Sequence, residues 1–208
     1  HGHTTSDTIS IFNLSIVLII SYIIILKKKI MKSICVFAGS AIGSKPSYSK
    51  RAHDLGLEIA KRNYSMVYGG GNNGLMGVLA DAALKGGAKV TGIITEKLND
   101  IEVGHDNLST LEIVPTMHER KLRMAQLSDA IIALPGGVGT WEELFEALAW
   151  NQLGIHSKPI VLFNVDNYYS KLFEFTKFSV NEGFLPESTK DELFISDSLS
   201  NVFNFINS

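Results

Sequence analysis

From Met31 onward, short runs of β-branched and aliphatic residues alternate with segments of helical length. No other feature restricts the chain as much, because such alternation is the mark of βαβ units wound into a mainly parallel sheet. Strands are expected at 34–38, 66–68, 89–95, 111–114, 130–134 and 160–163. Helices are expected at 46–62, 75–85, 117–127 and 140–153, each with apolar residues spaced by three and four. After Phe163 come one more helix, at 168–182, and a short element at 199–206. At about 150 residues per domain, 208 residues hold a single Rossmann-like, doubly wound α/β domain and not two full ones.

A doubly wound sheet binds its ligand at the carboxyl ends of its strands. Eight of the 18 glycines fall in two windows at such ends, 69–77 and 136–139. The first, Gly69-Gly70-Gly71-Asn72-Asn73-Gly74, is a literal G-x-G-x-x-G opening a helix. A dinucleotide, another phosphate ligand and a plain tight turn are equally compatible with it. Glu96, at the end of the next strand, stands where an acidic residue would meet a ribose hydroxyl. The second window, Leu134-Pro135-Gly136-Gly137-Val138-Gly139-Thr140, is more specific. Its glycines bare backbone N–H groups at a helix start, where unpaired donors and the helix dipole favour a phosphate, and Thr140 adds a hydroxyl. The lysine of a P-loop is missing, which argues against tight binding of a nucleoside triphosphate with Mg²⁺.

Glu143, four residues past Gly139, leans back toward the helix N-terminus and the anion. A carboxylate there is electrostatically awkward and asks for a reason. For Glu142, Glu143 and Glu146 the bland reading is a solvated face favoured by the helix dipole. Competing with it, Met117-His118-Glu119-Arg120-Lys121 opens the preceding helix at another carboxyl edge. There Arg120 can fork onto a phosphate or pair with Glu143, whereas a plain solvated role suits Lys121 equally.

Charge and cysteine content exclude several classes. With 19 Lys+Arg against 21 Asp+Glu, the net charge of −2 lacks the bulk electrostatics of non-specific nucleic-acid binding, so no such partner is expected. Cys35 is the sole cysteine, which leaves neither an internal disulfide nor a cysteine zinc site and suits a cytoplasmic location. No two histidines pair at helical metal-ligand spacing, so no metal is expected and His105 and His118 are read as structural. Residues 9–26 are uncharged, 14 of the 18 apolar, and Lys27, Lys28 and Lys29 follow, which reaches the lower limit of a membrane span. The favoured reading takes 1–30 as an apolar leader or a segment foreign to the natural protein, with His1-Gly2-His3 a tag remnant, and 31–208 as the nucleotide-binding catalytic domain. No membrane partner is then expected unless 9–26 is native.

Three separated motifs in one order resemble the "lonely guy" family: P-G-G-x-G-T-x-x-E at Pro135 to Glu143, Met-His-x-Arg-Lys at Met117 to Lys121, and Gly-Gly-Gly-x-x-Gly-Leu-Met-Gly at Gly69 to Gly77. These are cytokinin riboside 5′-monophosphate phosphoribohydrolases, often mislabelled lysine decarboxylases. The likeness runs from Met31 to Ile206 and takes in Gly39-Ser40, the spacing of Leu98, Glu102, His105 and Leu108, and the stretch from Trp150 to Pro159. It departs at Ala149, where plant members carry threonine, and at Phe37-Ala38, where a Tyr-Cys or similar pair is usual.

The resemblance implies hydrolysis of the N-glycosidic bond of an adenosine-type nucleoside 5′-monophosphate, AMP or a cytokinin riboside monophosphate, to free base and ribose 5-phosphate, with no cofactor. It implies a catalytic pair, Arg120 and Glu143, and substrate contacts from Ser40, Gly70, Gly71, Glu102, Met117, Lys121, Gly136, Gly137, Val138, Gly139 and Thr140. It also implies a homodimer with active sites near the subunit interface. The residues suit that chemistry, since a carboxylate stabilises the cationic ribose that forms as the C1′–N9 bond breaks and can orient the attacking water. Trp141, Leu144, Phe145, Leu148 and Trp150 share one helix and cannot all face one core stripe, which favours a two-fold contact in its own right. Two other readings stay open. A nicotinamide-dependent oxidoreductase rests on the first glycine loop and Glu96 alone. A non-catalytic nucleotide sensor or carrier would use the same cradle, but a pure binder has no need of Glu143. A decarboxylase finds no lysine in a pyridoxal-phosphate setting.

Overall fold

β1 (Ser33–Phe37) is buried along its whole length, as a strand covered on both faces must be. The structure is a computed structural model and describes residues 33–102 and 104–208, without the side chains of residues 102, 190 and 191. The expectations for residues 1–30, the apolar run 9–26 among them, therefore fall outside the described residues. Among the described residues no helix is long and apolar enough to cross a membrane.

After β1 follow α1 (Pro46–Lys61), β2 (Ser65–Tyr68), α2 (Gly74–Lys85), β3 (Val90–Thr95), α3 (Glu96–Glu102), β4 (Thr110–Val114), α4 (Met117–Gln126), β5 (Ala130–Ala133), α5 (Val138–Gln152) and β6 (Ile160–Phe163). The chain ends with α6 (Ser170–Asn181), α7 (Thr189–Glu192), β7 (Leu193–Ser196) and α8 (Leu199–Ile206). All seven strands among the described residues run parallel, in the order β4-β3-β2-β1-β5-β6-β7. The chain enters at β1, steps outward through β2, β3 and β4, then returns to β5 on the other flank of β1. The loops leaving β1 and β5 thus turn apart, and a crevice opens between them at the switch point.

Side chains alternate across the sheet. Cys35 and Phe37 face α4 and α5 and pack with Met124, Leu144 and Leu148, while Ile34 and Val36 turn to the opposite face. The six expected strands and five of the helices are present with ends shifted by a few residues. Three elements are additional: β7, α3 and the four-residue α7. β7 is four residues long, pairs with β6 from Ile160↔Leu193 to Phe163↔Ser196, and is half-buried at the sheet edge. Its brevity gives no period to recognise. α3, which follows β3 and is seven residues long, is a mostly polar helix of about two turns, also too short for a helical stripe. α5 starts at Val138, two residues before the expected start, with Gly137 as its extended N-cap residue.

Candidate active site

The early start of α5 decides the character of the crevice. Within an α-helix the first N–H groups have no acceptor in the preceding turn. Here they belong to Val138, Gly139 and Thr140, and the first intrahelical bond of this turn runs from Trp141 N to Gly137 O (3.1 Å). A cleft of about 160 Å³ lies at this helix end, lined by Ala38, Ser40, Met76, Arg120, Gly137, Val138, Gly139, Thr140 and Glu143.

The glycine loop is held from both sides. Gly39 N donates to Pro135 O (3.1 Å), Tyr169 Oη donates to Leu134 O (2.6 Å), and Tyr168 Oη donates to Gly136 O. Gly136 is constrained by space: a Cβ there would stand 2.1 Å from Thr140 Oγ1 and 2.9 Å from Gly39 N. Burial holds the Tyr169 phenol well above its ordinary pKa, so it remains a donor.

Arg120 reaches the cleft from α4. Its helix begins where Thr116 caps it, the hydroxyl accepting from Glu119 N (3.2 Å). The guanidinium is almost fully buried and its Nε donates to Ile93 O (2.9 Å), its Nη2 to Gly69 O (3.1 Å). Its Nη1 lies 3.4 Å from Glu143 Oε1, and both side chains are about nine-tenths buried, at 7% and 11% exposure. A carbonyl within β3 and one just past β2 therefore aim a fixed cation at the one α5 carboxylate that lines the cleft. Gly69 makes room for it, since a Cβ at that position would fall 2.2 Å from Nη2. Behind the pair lies the Cys35 thiol, pushed up in pKa by burial first and by the Glu143 charge second.

The expected site residues are thus only partly gathered. Ser40, Arg120, Gly137, Val138, Gly139, Thr140 and Glu143 line the cleft, while Gly136 lines a neighbouring cavity that shares Ser40 and Gly137 with it. Gly70 and Gly71 do not: Gly70 O accepts from His105 N (3.0 Å), Gly71 bridges to Gly104, and the loop packs on β3. The G-x-G-x-x-G window acts here as a tight turn that positions Arg120, and Glu96 stands exposed at the start of α3. Lys121 turns away from the cleft toward α5, with Nζ 2.5 Å from Glu142 Oε1 and 3.0 Å from Glu146 Oε1. Burial opposes its charge, but these carboxylates outweigh it and hold the ammonium above its ordinary pKa. Met117 is exposed at the first position of α4, and the Glu102 side chain lies outside the described residues.

His105 is buried, its Nε2 3.1 Å from Asp81 Oδ1 and its Nδ1 accepting from Asn107 N (3.2 Å), a structural bridge. His118 is exposed, and no metal-binding cluster exists among the described residues. Three further residues belong to the site: Met76 lines the cleft, and Tyr168 and Tyr169 hold the glycine loop. Met76 stands inside the first glycine motif, whose spacing assigns it no role, and the tyrosine pair follows β6 with no motif around it.

An all-parallel sheet with a helix-N-terminal anion cradle at its switch point, and a buried arginine–glutamate pair beside the cradle, defines a nucleotide- or phosphate-binding α/β protein equipped for acid–base or electrostatic work. Known proteins narrow the class. A family model described as "Possible lysine decarboxylase" matches residues 76–206. The chain is 47% identical to a cytokinin riboside 5′-monophosphate phosphoribohydrolase of Arabidopsis thaliana, over 76% of this chain and 75% of that one. It is 45% identical to a probable enzyme of the same name from Oryza sativa subsp. japonica, over 81% and 73%. Among solved structures, the molybdenum cofactor binding protein of Rippkaea orientalis superposes with a TM-score of 0.64 at 26% identity, covering 86% of this chain and 96% of that one. The chain belongs to the cytokinin riboside 5′-monophosphate phosphoribohydrolase family.

Proposed function

We propose that the protein hydrolyses the N-glycosidic bond of adenosine-type nucleoside 5′-monophosphates, N6-modified ones included, to free base and ribose 5-phosphate. The observation that carries this reading is the buried Arg120–Glu143 pair, 3.4 Å apart, at the rim of the α5 N-terminal cradle. Family membership supports it. The 5′-phosphate sits on the N–H groups of Val138, Gly139 and Thr140, with the Thr140 and Ser40 hydroxyls beside it. Binding energy from this remote group positions the ribose against Glu143.

As the C1′–N9 bond breaks, its electron pair leaves with the base and positive charge develops on the ribose. The Glu143 carboxylate stabilises that charge and orients a water; its oxygen bonds to C1′ and its proton finally resides on the base. Arg120, pinned by Gly69 O and Ile93 O, holds Glu143 in place and offers its remaining N–H groups to the substrate. The reaction needs no cofactor. Glu143 favours turnover over a sensor or carrier role.

The same reading takes residues 31–208 as the catalytic unit, 1–30 as a leader or foreign segment, and the cytoplasm as the location. It also includes a homodimer. Val138, Trp141 and Phe145 form one stripe along α5, 74%, 42% and 44% exposed, and Val138 also lines the cleft. A two-fold contact on that stripe buries it and closes the site from water.

Incubation with AMP, N6-isopentenyl AMP and adenosine, followed by separation of base from nucleotide, tests the reading. Base should be released from the monophosphates and far more slowly from adenosine. Equal rates for AMP and adenosine would overturn the role of the cradle, and no release from any of them the activity.

A further inference from the structure

Tyr168 reaches Gly136 from the side of the glycine loop that faces α1. Its hydroxyl donates to Gly136 O, and its ring meets Tyr48 of α1 edge to face at 6.1 Å and Tyr169 at 4.9 Å. Tyr48 and Tyr168 wall a cavity of about 210 Å³ that adjoins the cleft through Ser40 and Gly137. The segment that delivers the tyrosine is strained. Asp166 and Asn167, just before it, both take left-handed backbone, at φ 51° and 62°, which is costly outside glycine and persists only where the surroundings enforce it. Here they do: Ser47 Oγ donates to Asp166 Oδ2 (2.6 Å), Lys45 Nζ lies 3.4 Å from the same oxygen, and Asn164 Oδ1 accepts from Tyr169 N (2.8 Å). A strained loop, tied to the start of α1, thus ends in one hydroxyl on one carbonyl of the cradle.

That carbonyl belongs to a peptide with little else to orient it. It joins two glycines, and a Cβ at Gly137 would meet nothing within 4 Å, so packing on that side leaves the peptide free to turn. A trans peptide is planar, with its C=O and N–H pointing opposite ways. Gly136 O on the tyrosine therefore turns the Gly137 N–H away from it. We propose that Tyr168 is a positioning residue for the 5′-phosphate: by holding Gly136 O it fixes the Gly137 N–H as a further donor beside those of Val138, Gly139 and Thr140, and so sets the preference for a nucleotide over a nucleoside. The inference rests on the hydrolase reading for the place of the phosphate. Its physical basis is the concavity that successive N–H groups form around an anion, which requires all of them to keep one orientation. A flipped peptide would put a carbonyl where the donor belongs and repel the phosphate. Tyr168 lines the neighbouring cavity and not the cleft, so it acts through the peptide rather than on the substrate.

The test compares wild type with Tyr168→Phe, which removes the hydroxyl and keeps the ring against Tyr48 and Tyr169. For AMP, KM should rise about tenfold with kcat changed less than about threefold, because the lost donor serves a group remote from the bond that breaks. For adenosine, which has no phosphate, kcat/KM should stay within about twofold, so that the AMP-to-adenosine ratio falls about tenfold. Inorganic phosphate, as a competitive inhibitor of AMP turnover, should weaken by a similar factor. A loss of kcat/KM equal for both substrates would make Tyr168 a general support of the fold or of the reacting pair. Wild-type constants for both would make its hydroxyl idle. Either result overturns the proposal. Calorimetric titration with AMP and with adenosine reads the same split without turnover: affinity for AMP should fall about tenfold and that for adenosine should hold. It decides the role of Tyr168 even where wild type releases no base, an outcome that would defeat the hydrolase reading instead. Should Tyr168→Phe fail to fold, Asp166→Ala, which cuts the tie to Ser47 and keeps the tyrosine, decides in its place: the AMP-to-adenosine ratio should fall there too, and an unchanged ratio would overturn the proposal.

Discussion

At the level of single residues, the site depends on two kinds of constraint, charge and space. Glu143→Gln keeps the shape of the side chain and removes its charge at a developing cation, so turnover of AMP should fall by about 10²-fold or more. Nucleotide binding and the fold should remain, with some lowering of the thermal transition because Arg120 loses its buried charge partner, as single-turnover assays and calorimetry would show; loss of binding with turnover per bound site preserved would remove Glu143 from the chemistry. Space is the constraint at Gly69. The guanidinium of Arg120 is tied to Gly69 O and Ile93 O, and an added Cβ would lie 2.2 Å from Nη2. Gly69→Ala should therefore evict the arginine and lower kcat by about tenfold or more, since small displacements of reacting groups are costly. The far-UV spectrum should stay native. A wild-type rate from a folded Gly69→Ala protein would show that the arginine works without this anchor.

At the level of elements, α4 is short and carries Arg120 in its first turn, so its N-terminal cap matters more than caps usually do. Thr116 Oγ1 accepts from Glu119 N at 3.2 Å. Thr116→Ala removes that acceptor and should cost about 1 kcal/mol of stability, read as a shift in the denaturant midpoint with an unchanged slope. Because the frayed turn is the one that delivers Arg120, kcat should fall in the same variant; Thr116→Ser should restore both. A stability loss with full kcat would show that the sheet-edge carbonyls alone fix the arginine. α5 depends on its start in another way: Gly137 caps it without a side-chain hydrogen bond, which leaves the N–H groups of the first turn facing the cleft. A serine or aspartate cap would compete with the phosphate for them.

For the whole molecule, the stripe of Val138, Trp141 and Phe145 predicts assembly. Light scattering on the intact chain should give a dimer, and Trp141→Glu with Phe145→Glu should give a monomer of reduced activity, because a charged pair cannot be buried across a two-fold contact. A wild-type monomer with full activity would dismiss the interface. Much of the architecture was legible along the chain, since burial on both faces of a parallel sheet forces continuous apolar strands and amphipathic helices between them. The cradle was legible for a similar reason: the glycines from Gly136 to Gly139 and the carboxylate at Glu143 express backbone and helix geometry that acts within a few residues. β7 and α3 were not, being too short for any period to emerge. Nor could spacing tell Arg120 from Lys121, two adjacent cations on one helix. Which of them meets the reacting carboxylate depends on how α4 is rotated over β3 and against α5, and that rotation is set by contacts between residues up to 51 positions apart, such as Arg120 with Gly69 O. The first glycine loop shows the same division: its turn is local chemistry, but its service as the arginine's anchor arises only when β2, β3 and α4 pack together.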